Sequence, residues 1–249
     1  MAARKTSSKT SAKGRKAAGK PTVRRPFRPV RWLWKWGFRL GVIVAAVMLM
    51  LVLVFKGLNP PSTHTIWNEQ RRLGSVDHMW VDADRIAPVM LRSVVAAEDA
   101  NFCNHWGFDM DAIRAAIASG AARGGSTISQ QVVKNVYLWQ GRSYLRKALE
   151  AVMTPMVEAL WSKRRILEIY LNVAEMGEGI FGVEAAARHY FGVGPEALTA
   201  RQAALIAAVL PNPKKRNAAR PTSFLNKRAK AIQSGAATID ADGRADCFQ

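Results

Sequence analysis

The sequence predicts a mainly α-helical domain carried behind one membrane-spanning helix, and three observations lead there. Leu40 to Phe55 is apolar throughout and carries no charge. From about Ile86 onward, alanine, leucine and amphipathic i, i+3, i+4 spacing dominate. The chain shows no internal repeat, no dinucleotide-type glycine pattern and no alternating βαβ rhythm, which removes the common α/β classes.

Residues 1–31 mix Lys, Arg, Ser, Ala, Gly and Pro with almost no large apolar side chains, so they lack the surface to offset chain entropy and read as a disordered tail. The formal charge is +19, but residues 1–39 hold 13 Lys/Arg and no Asp or Glu, against 24 and 18 in the remainder. The domain itself is therefore only mildly basic, which argues against a nucleic-acid partner. At 1.5 Å per residue the apolar run spans about 24 Å, short of a hydrocarbon core of roughly 30 Å. Residues 32–57 make up the difference: Trp32, Trp34, Trp36 and Phe38 form an interfacial group, and Lys35 and Arg39 can snorkel. The run ends in Val54-Phe55-Lys56 without a small-x-small cleavage site, which favours an uncleaved anchor. The positive-inside rule then places the N-terminus in the cytoplasm and everything after Lys56 beyond the membrane.

Residues 58–85 read as a linker opened by Pro60-Pro61, with extended character over Ser62–Trp80. A helix from Met90 to Ala97 ends near Glu98. Asp109 or Asp111 caps the next, whose Ile113, Ala116 and Ile117 define a buried face before Gly120 and Gly124-Gly125 stop it. Ser126 caps a helix from Thr127 to about Tyr137, with Ile128, Val132, Val133 and Val136 on one side and Thr127, Gln130, Gln131 and Lys134 on the other. Further helices are expected over 142–153, 155–161, 163–173, 181–190 and 199–209. The domain spans 86–216, and 217–249 is a C-terminal tail. Cys103 and Cys247 have no evident reason to meet, so no disulfide is expected.

Several residues carry chemistry or its bland equivalent. Glu98-Asp99 at a helix C-terminus opposes the macrodipole, which calls either for a compensating role or for plain solvation. A lone His105 is usually a structural hydrogen-bonding group, and no second His or Cys stands at zinc-ligand spacing. The Thr127/Gln130/Gln131/Lys134 face, behind a double glycine, suits a polar or anionic ligand or is a solvated helix surface. Arg142, Arg146 and Glu150 follow at i, i+4, i+8 with Lys147 adjacent, an ion-pair stripe in the weaker orientation for helix support.

Together these segments resemble the glycosyltransferase family 51 peptidoglycan polymerases. Five stretches match family motifs in order: Glu98-Asp-x-x-Phe102-x-x-His105-x-Gly107; Gly125-Ser126-Thr127-Ile-Ser-Gln130-Gln131-x-x-Lys134; Arg146-Lys147-x-x-Glu150; Lys163-x-x-Ile166-Leu167-Glu168-x-Tyr170-Leu171-Asn172; and Gly179-Ile-Phe-Gly182 with Tyr190-Phe191-Gly192. The resemblance implies a lysozyme-like domain that polymerises lipid II into β-1,4 glycan strands with inversion at the bacterial cytoplasmic membrane. About fifty residues follow Gly192, too few for the penicillin-binding module that often accompanies this domain, so the monofunctional form without transpeptidation is expected. It makes Glu98 the general base, with Lys134 and Arg146 stabilising the diphosphate leaving group. Glu150 orients them or holds a divalent cation, Mg or Mn; no other cofactor is called for. Thr127, Gln130 and Gln131 would position sugar or phosphate oxygens, with Asp99, Phe102, His105, Ser126 and Lys147 in support. Partners are lipid II, the nascent glycan strand, the membrane and other cell-wall synthesis or division proteins. The rivals are a lytic enzyme that cleaves glycan strands and a catalytically silent scaffold.

Overall fold

A computed structural model of the chain describes residues 1–2, 29–118, 125–141 and 143–249. The tail reading over 3–28, the helix stop at Gly120 and Gly124, and Arg142 lie outside the described residues. Two compact units are present, Met1–Ile43 and Val44–Gln249.

Helix α1 (Pro29–Gly57) runs unbroken through the tryptophan segment. Its 29 residues reach about 43 Å, and among the described residues it is the one helix long and apolar enough to cross a membrane; the aromatic flank extends the apolar run as expected. Within the first unit, Trp34 and Phe38 stack one turn apart and Arg39 lies over the Trp36 ring. Within the second, the last turns of α1 join the domain core. Val52 is buried, its carbonyl accepts from Trp161 Nε1 at 2.8 Å, and Arg165 donates to the carbonyls of Phe55 and Leu58. A cation at a helix C-terminus satisfies carbonyls that have no intrahelical partner.

The stretch read as extended forms helix α2 (His64–Leu73) instead. Thr63 caps it by accepting from Ile66 N, Ile66 is buried, and Arg71 lies 3.8 Å from the Trp67 ring centroid one turn on. Capping and i, i+4 pairing override the β propensity of Thr65-Ile66-Trp67. Strand β1 (Asp77–His78) then adds parallel to β3 (Ile180–Phe181), which pairs antiparallel with β2 (Glu175–Gly177), giving the order β1-β3-β2. Asn172 anchors this corner: its Oδ1 accepts from Val81 N and its Nδ2 donates to Val81 O, both at 2.8 Å. Gly182 has φ +82 and lies where a Cβ would come within 2.9 Å of the Asn172 carbonyl.

The remaining helices are α3 (Pro88–Glu98), α4 (Met110–Ala118), α5 (Ile128–Tyr137), α6 (Tyr144–Leu160), α7 (Lys163–Val173), α8 (Gly182–Phe191), α9 (Ala200–Val209) and α10 (Ser223–Ala241). Helices α3, α9 and α10 pack together, α5 packs on α6 and α7, and α8 joins α7 to the sheet. Three expectations change here. Helix α4 has no buried residue and Ile117 is 75% exposed. Helix α6 passes straight through Pro155, held by buried Met153, Thr154 and Val157 around the lost hydrogen bond. The C-terminal stretch read as a tail carries α10, whose Leu225, Ala229, Ile232, Ala236 and Ile239 form a buried stripe.

A fourth expectation fails outright: Cys103 and Cys247 form a disulfide. Their separation of 144 residues hid the pairing. It arises because α10 packs along α3 and returns the chain end to the loop that follows α3.

Candidate active site

Glu98 closes α3, partly buried, with a valine- and alanine-rich helix behind it. Burial pushes its carboxyl above the usual range. The Gln131 hydrogen bond and the charges of Arg228 and Lys134 oppose that rise, while Asp99 adds to it. Gln131 Nε2 donates to Glu98 Oε2 at 3.0 Å, and its Oε1 lies 3.4 Å from the hydroxyl of buried Tyr170.

Asp99, the next residue, is buried and faces the other way. Its Oδ2 accepts from Ile128 N at 3.0 Å, the first residue of α5, where a carboxylate is favoured by the exposed N–H groups and the helix dipole. Its Oδ1 lies 2.8 Å from His105 Nε2. Because His105 Nδ1 accepts from Gly107 N at 3.1 Å, the ring proton is assigned to Nε2, which donates to Asp99. Gly107 turns with φ +83, and its carbonyl accepts from Thr127 Oγ1 at 2.6 Å. The loop after α3 is thereby tied to the start of α5 on both sides.

The cap of α5 is Thr127, not the exposed Ser126 expected from the sequence. Thr127 Oγ1 accepts from Gln130 N, and Gln130 Oε1 accepts from Thr127 N at 3.0 Å, a reciprocal capping box. Thr127 and Gln130, expected on a ligand face, are buried and have these polar atoms turned into the cap. Of that face, Gln131 and Lys134 reach the cleft.

Helix α6 supplies the third motif. Glu150, 3% exposed, accepts from Arg146 Nη1 at 2.8 Å and from Lys147 Nζ. Arg146 Nε also donates to the Gly141 carbonyl, which holds the guanidinium between two fixed points. Lys134 stands opposite without an ion pair among the described residues. Burial lowers its ammonium's affinity for the proton; Glu150 and Glu98 counter this, and Arg146 and Lys147 reinforce it. One turn and two turns beyond Glu150, the same helix presents buried Thr154 and Glu158, whose side chain is largely covered; Glu158 accepts from Lys163 Nζ at 2.9 Å and from Ser129 Oγ. Lys163 in turn donates to the His105 carbonyl at 2.7 Å and lies 4.4 Å from the centroid of the Phe102 ring. Phe102 is fully buried beside His105. It serves packing.

Two cavities flank the Glu98–Gln131 hydrogen bond. One, about 310 Å³, is lined by Glu98, Asp99, Asn101, Asp109, Ser126 and Thr127. The other, about 350 Å³, includes Gln131, Lys134, Tyr170, Glu175 and Lys214. The sequence-predicted residues thus separate into Glu98, Asp99, Ser126 and Thr127 on one cavity, Gln131 and Lys134 on the other with Arg146, Lys147 and Glu150 around the cation, and Phe102, His105 and Gln130 in the scaffold, which Asp99 and Thr127 join through their hydrogen bonds. Four neighbours of the site carry no role predicted from the sequence: Lys163 and Tyr170, which the fourth motif contains, and Glu158 and Arg228, which lie outside every motif. The i, i+4, i+8 stripe Glu150, Thr154, Glu158 was the readable signal for Glu158.

Divalent-cation binding at Glu150 does not fit this arrangement. Both carboxylate oxygens are engaged by Arg146 and Lys147, and among the described residues no group of three or more His, Cys, Asp or Glu is placed to share an ion.

Comparison with known proteins places the chain in a family. The family model described as Transglycosylase matches residues 66–237, a span that takes in the site and most of α10. A biosynthetic peptidoglycan transglycosylase from Jannaschia sp. (strain CCS1) is 60% identical over 218 residues, covering 88% of this chain and 90% of that protein. Proteins of the same description from Caulobacter vibrioides, 43% identical over 84% of this chain and 93% of their own length, and Pseudomonas fluorescens (strain SBW25), 46% identical over 86% and 93%, are similar throughout.

Proposed function

This chain belongs to the transglycosylase family and is a peptidoglycan glycosyltransferase, and we propose that Glu98 is the base by which it extends glycan strands from lipid II. The observation that carries the proposal is the partly buried Glu98 carboxylate, which lines one cavity and is hydrogen-bonded to Gln131, which lines the other. A reaction that joins two sugars needs room for both and one proton acceptor between them.

Glu98 takes the proton of the acceptor sugar hydroxyl. The hydroxyl oxygen attacks the anomeric carbon of the donor strand, the carbon–oxygen bond to the lipid diphosphate breaks, and the configuration inverts. A diphosphate leaves as a stable anion, so no strong general acid is needed; fixed cations stabilise its developing charge instead. Lys134, without an ion pair among the described residues, and Arg146, held by Glu150 and Gly141, fill that role. Burial raises the proton affinity of Glu98, which strengthens it as a base.

Helix α1 is proposed to cross the cytoplasmic membrane with the N-terminus inside, confining enzyme and lipid substrate to one surface. The Cys103–Cys247 disulfide supports an oxidising compartment for the domain. The test is incubation of the full-length protein in detergent with labelled lipid II. Wild type should form polymer and Glu98→Gln should form none. Shortening of preformed strands by the wild type, or polymer from the Glu98→Gln variant, would sink the reading.

A further inference from the structure

The C-terminal segment that carried no motif contacts α3 and the loop after Glu98 at several points. Helix α10 approaches α3 closely at Gly235, where an added Cβ would lie 3.2 Å from Ala96, and Arg92 pairs with Asp240 at 3.2 Å. Arg228 points its Nη2 at the Ala97 carbonyl, 3.5 Å away, at the α3 terminus where Glu98 sits against the helix dipole. Its Nε is buried without a hydrogen-bond partner among the described residues. Beyond α10, Arg244 Nη1 donates to the Ala100 carbonyl at 3.0 Å, Phe248 packs its ring 6.3 Å from that of Phe102, and Cys247 is bonded to Cys103. The strap is itself held from outside, with Phe248 O accepting from Arg164 and Gln249 donating to Pro88 O.

We propose that this segment is a positioning element for the catalytic base, with Arg228 fixing the charge at Glu98 and the Cys247–Phe248 strap fixing the loop that follows it. The inference rests on the reading of Glu98 as base. The charged and polar groups facing Glu98 are Asp99 from its own loop, Gln131 and Lys134 from α5, Tyr170 from α7 and Arg228 from α10. Only Arg228 among them is supplied by the C-terminal segment. Its charge favours ionised Glu98 and so opposes the effect of burial. Without the strap, the loop from Ala100 to Cys103 loses a covalent tie, and small displacements of a catalytic group are costly to rate.

Three full-length variants test this with labelled lipid II. Arg228→Gln should move the acidic limb of the kcat/KM–pH profile to higher pH, because the favourable charge beside the carboxylate is lost. Arg228→Lys, which keeps the charge, should return the limb toward wild type. The double variant Cys103→Ala/Cys247→Ala should lower kcat roughly tenfold with KM within about twofold, while its melting transition stays cooperative. A purely structural contact would lower the active fraction alike at every pH and leave the limb in place. An unmoved limb in Arg228→Gln, no return in Arg228→Lys, or wild-type kcat in the cysteine variant overturns the proposal. Polymer formation by Glu98→Gln would instead overturn the assignment of the base, so the two failures are separable.

Discussion

Asp99→Asn is a nearly isosteric change whose consequence can be worked from three donors and three acceptors. Ile128 N–H, His105 Nε2–H and Gly107 N–H are satisfied by Asp99 Oδ2, Asp99 Oδ1 and His105 Nδ1 in turn. An asparagine keeps one acceptor oxygen and turns its other arm into a donor. If the amide nitrogen faces Ile128, two donors meet at the start of α5. If it faces His105, the ring must move its proton to Nδ1, where it meets the Gly107 N–H. Either way one buried donor goes unsatisfied, at about 1–3 kcal/mol, and the loss of a carboxylate at a helix N-terminus adds up to about 1 kcal/mol. The expected destabilisation is about 3 kcal/mol, or roughly 6–12 °C in melting temperature for a domain of this size. Thermal unfolding of the full-length protein in detergent, followed by circular dichroism at 222 nm, reads it. A shift below about 2 °C would refute the donor–acceptor count. The same variant removes a negative charge that raises the Glu98 pKa, so its acidic activity limb should move to lower pH.

Two further changes test neighbouring parts of the site. Glu98 has a folded pKa raised above its unfolded value of about 4.3, so its favourable contribution is complete below that pH and is lost as pH rises through the folded pKa. Glu98→Gln should therefore melt at or above wild type near neutrality, with the gap closing as pH falls toward about 4; a lower melting temperature at pH 7.5 would contradict burial as the cause. Gly107→Ala places a Cβ 2.5 Å from Thr154 Cγ2 on a backbone with φ +83, and should cost about 2–4 kcal/mol in urea unfolding; an unchanged midpoint would mean that the turn relaxes freely.

Much of this site could be read along the chain because its chemistry is local. The motif from Glu98 to Gly107 carries its own logic: Asp99, His105 and Gly107 sit six and two residues apart and close one hydrogen-bonded loop. The Arg146, Lys147 and Glu150 contacts follow equally from helical i, i+3 and i, i+4 geometry. What escaped sequence reasoning is the division of labour within a helix face. Thr127 and Gln130 share the polar side of α5 with Gln131 and Lys134, yet the capping box turns the first two inward and leaves the others to the cleft.

The sequence by itself determined the long apolar N-terminal helix, the mainly helical class and the motifs around Glu98, because each depends on residue type at short spacing. The extent of the domain, the disulfide and the closing of α10 over the catalytic loop were decided only in three dimensions. Arg228 lies 130 residues after Glu98, and Cys247 lies 144 after Cys103. No helical period links such positions. They meet because the buried stripe of α10 finds its complement on α3 and α9, and burial of apolar surface acts without regard to separation along the chain.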